Sequence, residues 1–373
     1  MGPRLSLLLA ALAAACGAVE QQQPLDTPAS AEACGRCHRA IHEAWKSSAH
    51  AGAMESRLFQ DALEITETEF GADSRKVCLE CHSPIAFRIA DFRLRRKVSW
   101  EGVTCDYCHS VREVAFDGPN PKAKVEFTQM KSGPLQNVTS VGHETVYSAV
   151  HITAAVCAPC HDYRNALGFP VLTTYSEWKA SRYAKEGRAC QSCHMNRVEG
   201  EVVDPRIQQV SLAKINLHAM PGSHSIEQLT STVKANLSIE RRADGLHVFI
   251  DVANVAAGHS VPTGSPLRQI VLEVKADAYD GKHFREQRVY RRTVADQQGK
   301  EIDREPVAFL RASSVLSDTR LAPGEKRRES FSFAIPAGTS AQVSATFWYY
   351  YSPLARTEAQ KRVTFLTLQQ LVK

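Results

Sequence analysis

Five copies of the pattern Cys-x-x-Cys-His constrain the fold of this 373-residue chain more than any other feature. They use ten of its eleven cysteines: Cys34 and Cys37, Cys78 and Cys81, Cys105 and Cys108, Cys157 and Cys160, and Cys190 and Cys193. A histidine follows each second cysteine directly: His38, His82, His109, His161 and His194. This spacing is the attachment signature of c-type haem. Two thiols bind one porphyrin, and the adjacent histidine reaches its iron as proximal ligand.

Two other uses of paired cysteines fit this pattern less well. A structural zinc site needs four ligands, so Cys-x-x-Cys pairs come in twos, whereas this chain has five. A disulfide framework gives no reason for a histidine after every second cysteine. The sequence therefore predicts five covalently bound haems c, each with its iron on a motif histidine.

The haem motifs also predict the architecture of residues 32–225. Five motifs in this stretch leave too little polypeptide for an ordinary apolar core, so the haems themselves should form the core. We expect a mainly α and coil pentahaem cytochrome domain wrapped around a haem stack. One predicted helix runs from Arg39 to Met54, which is free of proline and amphipathic at helical spacing.

Residues 226–373 have a different pattern of residue types and contain no cysteine. Turn signals such as Asp244-Gly245 and Asp280-Gly281 separate apolar, β-branched and aromatic runs. The clearest runs are Leu237–Ile239, Leu246–Val252, Ile270–Ala276, Ser330–Ile335 and Gln342–Tyr351. Roughly seven strands in a segment of this length predict an all-β domain, an immunoglobulin-like antiparallel sandwich.

The N-terminus predicts export. Residues 1–18 read as a signal peptide, with Arg4 before a short apolar run, and residues 19–31 as a linker. Cys16, the cysteine outside the motifs, has two interpretations: it is lost by cleavage after Ala18, or it is acylated after cleavage at Ala15. The second would tether the protein to a membrane by a lipid. We expect a periplasmic, outer-membrane or cell-surface location.

The charge of the chain gives no support to nucleic acid binding. The formal net charge is +5, but each haem adds two propionates. Five haems therefore contribute roughly ten negative charges, which brings the loaded protein to about −5. The expected partners are instead redox proteins that donate or accept electrons.

The sixth position on each iron needs a second ligand, and methionine is scarce, so two histidines on each iron are expected. Six histidines outside the motifs are candidate distal ligands: His42, His50, His143, His151, His218 and His224. His42 lies four residues after His38, on the same helix face, so it serves a neighbouring haem or only a polar face. His259 is held in reserve, because a rigid turn explains its glycine and proline neighbours equally well.

Several segments resemble multihaem cytochromes related to the tetrahaem cytochrome c-554. They include Trp45-Lys-Ser-Ser-Ala-His50 after the first motif, Glu101–His109, Glu177–Met195 and Leu217–His224. The resemblance implies closely packed haem pairs, shared with the hydroxylamine oxidoreductase lineage. It also implies that His50, His151 and a histidine of segment 218–224 are distal ligands. This chain departs from the tetrahaem pattern by its fifth motif.

Three functions remain open at this point. The first is electron transfer between redox partners, with no catalytic residue. The second is an oxidoreductase acting on hydroxylamine or a small nitrogen or sulfur oxyanion at one five-coordinate haem, with His42, His143 and Tyr107 as spare acid/base groups. Against it, no Cys-x-x-Cys-Lys motif is present. The third is self-association into a haem filament, or a subunit role in a respiratory complex.

Overall fold

The computed structural model describes residues 27–210 and 214–373. The predicted signal peptide, Cys16 and most of the predicted linker therefore lie outside the described residues. Within the described ranges, no helix is both long and apolar enough to cross a membrane.

The haem-motif region, residues 27–225, is built from short helices joined by loops. Its helices are α1 Ala31–Gly35, α2 Arg39–Lys46, α3 Arg57–Phe70, α4 Arg75–His82, α5 Pro84–Arg88, α6 Cys105–His109, α7 Ala158–His161, α8 Thr174–Ala180, α9 Arg182–Lys185 and α10 Gln191–His194. Its strands are β1 Val111–Ala115, β2 Lys122–Val125, β3 Met130–Gly133, β4 Glu144–Tyr147, β5 Asp162–Arg164, β6 Pro170–Thr173, β7 Arg197–Val198 and β8 Ile215–Asn216. These strands form only two-stranded pairs, so helix and loop dominate this region.

The helix predicted from Arg39 to Met54 is shorter than expected. It ends at Lys46, and a single 3-10 turn follows at Ala51–Ala53. Two serines follow the helix, and the hydroxyl of Ser47 bonds the carbonyl of Ala44, 2.9 Å away. Such local bonds compete with helical ones, which explains why the prediction was wrong beyond Lys46.

The C-terminal region, residues 226–373, begins with α11 Ile226–Thr232 and is dominated by antiparallel strands, as predicted. The strands are β9 Val233–Arg242, β10 Gly245–Asn254, β11 Gln269–Ala278, β12 His283–Tyr290, β13 Arg292–Ala295, β14 Ser314–Asp318, β15 Lys326–Phe333, β16 Ala341–Tyr350 and β17 Arg362–Val372. Two short helices interrupt them, α12 Glu305–Arg311 and α13 Glu358–Lys361.

Seven of these strands form two sheets, in the orders β15-β10-β9 and β12-β11-β16-β17. Side chains on β10 alternate between buried and half-buried, as expected for a strand with one face on a core. One apolar cluster combines Leu246 and Ile250 of the first sheet with Leu272 and Phe347 of the second. Burial of this shared core is the main stabilising term for the region.

The two regions share an extensive interface. Phe169 and Val171 of the haem-motif region form one apolar cluster with Val294, Ile302 and Ala308 of the C-terminal region. Polar contacts surround it: the Arg292 guanidinium donates to the carbonyl of Pro170 at 2.8 Å, and the Tyr183 hydroxyl to that of Val255 at 3.0 Å. The loops of the C-terminal region are thereby held against the haem motifs.

Candidate functional site

The haem motifs adopt compact local structure. Cys105–His109 is helix α6, capped by the Thr104 hydroxyl, which accepts from the backbone N–H of Tyr107. In the first motif the backbone N–H of His38 donates to the carbonyl of Cys34 at 2.9 Å, and His194 and Cys190 repeat this bond at 3.0 Å. A turn of helix brings residues four apart onto one face. The first cysteine and the histidine of a motif therefore face the same side.

Cysteines of different motifs meet in pairs. Three pairs of thiols lie close enough to affect each other's pKa: Cys34 with Cys105, Cys81 with Cys160, and Cys157 with Cys190. Contact with Cys81, followed by burial, raises the pKa of Cys160 well above its usual value. The first motif is thus next to the third, and the fourth is next to both the second and the fifth.

Four motif histidines face a second histidine ring across a similar gap. The ring centres are 6.1 Å apart for His38 and His143, 6.2 Å for His161 and His50, 6.3 Å for His109 and His218, and 6.5 Å for His194 and His259. An iron about 2 Å from each ligating nitrogen would hold two opposed imidazole centres roughly 6 Å apart. The spacing of these four pairs fits one iron between each pair.

The hydrogen bonds of these rings decide which nitrogen is free. Nδ1 donates to a carbonyl in His38, His109 and His194, with distances of 2.5 to 2.6 Å to the carbonyls of residues 202, 132 and 221. The facing rings of His143, His218 and His259 make the same kind of bond at 2.9, 2.8 and 3.0 Å. A carbonyl can only accept, so Nδ1 carries the proton and Nε2 keeps its lone pair. That is the form in which imidazole binds a metal.

Burial keeps three of the motif histidines neutral. It is the largest cause that lowers the pKa of His109 and of His161 to about 3, and that of His82 to about 4. A metal binds only the neutral imidazole, so these residues are ready to act as ligands at neutral pH. The residues present thus fit haem on the spacing, orientation and charge of their rings.

His82 of the second motif differs from the other four. In the described part of the chain no histidine ring is paired with it; its ring neighbour is Phe59, stacked at 4.0 Å with an angle of 11° between the planes. Phe59 belongs to an apolar cluster with Met54, Leu63 and Leu79. The second motif therefore has a proximal ligand but no histidine opposite it among the described residues.

The other three candidate distal ligands do not meet both conditions. None of them combines a motif histidine across such a gap with a free Nε2. His151 lies 5.6 Å from His109, but its Nε2 donates to the carbonyl of Cys108 at 2.8 Å and its Nδ1 is buried without a partner. His224 stacks on Tyr351 at 4.4 Å. His42 packs against Gly35 and lies 5.7 Å from the ring of Trp45.

Sequence reasoning gave too little weight to His259 and missed Arg268 and Glu177. His259 lies in a loop of the C-terminal region, 65 positions beyond His194. Arg268 is close enough to His82, His161 and His224 that its charge helps to lower the pKa of each. The signal available was the loop Gly258–Gly264, which encloses His259 between glycine and proline.

Comparison with known proteins adds two findings. The family model described as cytochrome c554 and c-prime matches residues 33–110, which hold the first three motifs. The crystal structure of a penta-heme cytochrome c552 from Thermochromatium tepidum superposes with a TM-score of 0.72 at 21% identity, covering 93% of this chain and 100% of that chain. At this identity the likeness concerns the fold alone.

Two further solved structures share little with the chain. The putative ApaA protein from Bordetella pertussis and a structural genomics target each have a TM-score of 0.21, at 10% and 7% identity. Both cover 38% of this chain, with 90% and 84% of their own length. No curated protein sequence matches the chain significantly.

Proposed function

We propose that this chain, a multihaem c-type cytochrome related to the cytochrome c554 family, holds five haems and passes electrons between redox partners. The observation that carries the proposal is the set of four histidine pairs with ring centres 6.1 to 6.5 Å apart. An iron with two histidine ligands has no site for a substrate, so such a centre favours electron transfer over catalysis. The penta-heme relative of the same fold supports five haems.

The motif cysteines and the paired histidines have different roles in this function. The ten motif cysteines hold the haems covalently, and His38, His82, His109, His161 and His194 are the proximal ligands. A bound haem supplies an iron that accepts and releases one electron. His143, His50 and His218 would hold the irons together with His38, His161 and His109. Backbone carbonyls at Nδ1 keep the rings of His38, His109, His143 and His218 in one orientation, which limits structural change on oxidation.

The contacts between motifs support a branched relay. The thiol contacts join motif one to three, two to four, and four to five. The third and fourth motifs are also close, because Cys160 helps to raise the pKa of Cys108. The fourth haem would then have three neighbours, and electrons could enter or leave by the first, second or fifth haem.

Other parts of the proposal concern shape and location. The single core between the two C-terminal sheets supports an immunoglobulin-like sandwich, and the shortage of apolar core around the motifs supports a haem stack wrapped by polypeptide.

The signal-like N-terminus supports export to the periplasm or cell surface, with a lipid tether at Cys16. Self-association remains an alternative that the surplus histidines allow.

Haem counting and electron paramagnetic resonance (EPR) test the relay. A haemochrome assay should give five haems per chain, and the oxidised protein should show low-spin ferric signals from four of them. Reduction of all five by an external donor, followed by rapid reoxidation by a small acceptor protein, completes the test. Fewer than five haems, or high-spin signals from several haems, would contradict the proposal.

A second function rests on the different surroundings of His82. With Phe59 as its ring neighbour and no histidine opposite among the described residues, the second haem is the candidate for an open coordination site. Arg268 places a positive charge near His82, which suits an anion. The substrate class would be hydroxylamine or a small oxyanion of nitrogen or sulfur.

Ligand binding separates the two functions. Nitrite, sulfite and hydroxylamine are added in turn to the oxidised protein, and the absorbance of high-spin haem is followed. A shift in one haem of five supports the enzyme, and Arg268→Gln should then weaken the binding of nitrite about tenfold, whereas the exposed Arg242→Gln leaves it unchanged. A spectrum unaffected by all three compounds would leave electron transfer as the function.

A further inference from the structure

The loop that carries His259 is built to bring that histidine to the fifth haem motif. The half-buried His259 ring lies 6.5 Å from the ring of His194, with an angle of 19° between their planes. Its Nδ1 donates to the carbonyl of Ser260 at 3.0 Å, which leaves Nε2 with its lone pair. The other three facing pairs have a similar ring spacing, and the His38–His143 and His109–His218 pairs have the same nitrogen orientation.

Asn254 fixes the loop from within the C-terminal region. Its side chain is fully buried and donates from Nδ2 to the carbonyls of His259, at 3.0 Å, and of Leu321, at 3.1 Å. Its Oδ1 accepts from the backbone N–H of Ala257 at 3.1 Å. One amide thus holds the loop on both sides of His259, and together the bonds favour one backbone conformation of the loop.

Glu177 fixes the same loop from the haem-motif region. Its Oε2 accepts from the backbone N–H of Ser260 at 2.9 Å, next to His259. Its Oε1 accepts from the guanidinium of Arg320 at 2.8 Å, and both side chains are largely shielded from solvent. A charge-assisted bond of this kind is stronger than a neutral one, and shielding strengthens it further.

Gly258 allows the loop to lie flat on the haem-motif region. A Cβ at this position would come within 3.0 Å of Trp178 and 3.3 Å of Tyr183. Both aromatic side chains belong to the region around the fifth motif. A larger residue at position 258 would push the loop, and His259 with it, away from His194.

We infer that the C-terminal region supplies the sixth iron ligand of the fifth haem through His259, and that Glu177 is the residue that positions this ligand. The inference rests on the proposed function, since it requires a haem at Cys190 and Cys193. It gives the C-terminal region a part in the haem site itself. Contact between the two regions then controls whether this iron is six-coordinate.

Variants of His259 test the ligand. Five haems per chain are first verified in every variant by haemochrome. His259→Ala should convert about one quarter of the low-spin ferric EPR intensity to high spin, one of the four low-spin irons, and added imidazole should restore it. His259→Met should keep the iron low-spin and raise the potential of one haem, because thioether ligation raises haem potentials. His247→Ala, in the same region but bonded to Asp244, is the matched control.

Variants of Glu177 test the positioning role. Glu177→Gln keeps an acceptor for Ser260 but loses the charge that holds Arg320, so a smaller fraction of the fifth haem should become high-spin than in Glu177→Ala. The exposed Glu186→Gln should have no effect. Full low-spin intensity and unchanged potentials in His259→Ala and His259→Met would overturn the inference while leaving the relay intact. Fewer than five haems in the unaltered protein would instead overturn the proposed function.

Discussion

The third haem motif offers a sharp prediction, because two histidines lie beside His109 and only one can be the distal ligand. His218 has its ring centre 6.3 Å from that of His109 and a free Nε2. His151 is nearer, at 5.6 Å, but its Nε2 is bonded to the carbonyl of Cys108. We therefore expect His218 to bind the third iron. His151 should instead support the proximal side of the site through its packing beside His109 and its bond to Cys108.

The size of each effect follows from these contacts. His218→Ala removes the ligand of one of the four irons expected to be low-spin, so about one quarter of the low-spin ferric signal should become high-spin. His151→Ala removes one hydrogen bond to a backbone carbonyl, which costs about 1 kcal/mol of unfolding free energy and leaves the low-spin signal unchanged. Each variant replaces one histidine beside His109 by alanine, so each is the control for the other.

The assay is quantitative EPR of the oxidised variants at matched haem concentration, with urea unfolding followed by Soret absorbance. Imidazole added to His218→Ala should return the lost low-spin signal. The reasoning from ring orientation is refuted if His151→Ala gives the high-spin signal and His218→Ala does not. It is also refuted if both variants keep the full low-spin signal of the unaltered protein.

Three further variants test packing and positioning. Asp106→Asn should lower the unfolding free energy by about 3 kcal/mol in urea, because Asp106 is buried and its charge is paired with the mostly shielded Lys131; a loss below about 1 kcal/mol would contradict this. Phe347→Ala should cost about 3–5 kcal/mol, because it opens a cavity in the core between the sheets, and a calorimetric midpoint near that of the unaltered protein would argue against that core. Gly102→Ala should disturb the fourth haem, since a Cβ there would lie 2.2 Å from the carbonyl oxygen of His50 and φ is +69°; an unchanged EPR spectrum would show that the loop yields without moving His50.

Much of the fold could be read from the sequence because its signals are local. The motifs and their spacing predict a region of short helices and coil, and strands β9, β10, β11, β15 and β16 lie where alternating runs predict them. The helix after Arg39 was predicted too long, because its end depends on Ser47 and on the bond from Trp45 to the carbonyl of Val103. That bond joins residues 58 positions apart, so no local pattern reports it.

The distal ligands were harder to predict, for a physical reason. A distal histidine reaches its iron from a distant part of the chain, and its role depends on which ring nitrogen is engaged. His151 and His218 are both candidates in the sequence, whereas their hydrogen bonds engage different ring nitrogens, Nε2 in His151 and Nδ1 in His218. His259 was held in reserve because a rigid turn explains its glycine and proline neighbours, and only the interface brings it to His194.

The closeness of the motifs has a consequence for how the haems would take up electrons. The fourth motif lies next to the second, third and fifth, so the charge of an electron on any of their haems would act on the fourth haem across a short distance. An electron on one haem would thus lower the potential of its neighbours, and the five haems would not be reduced independently. A redox titration of the whole protein should therefore span a wider range of potential than five isolated centres of equal potential would.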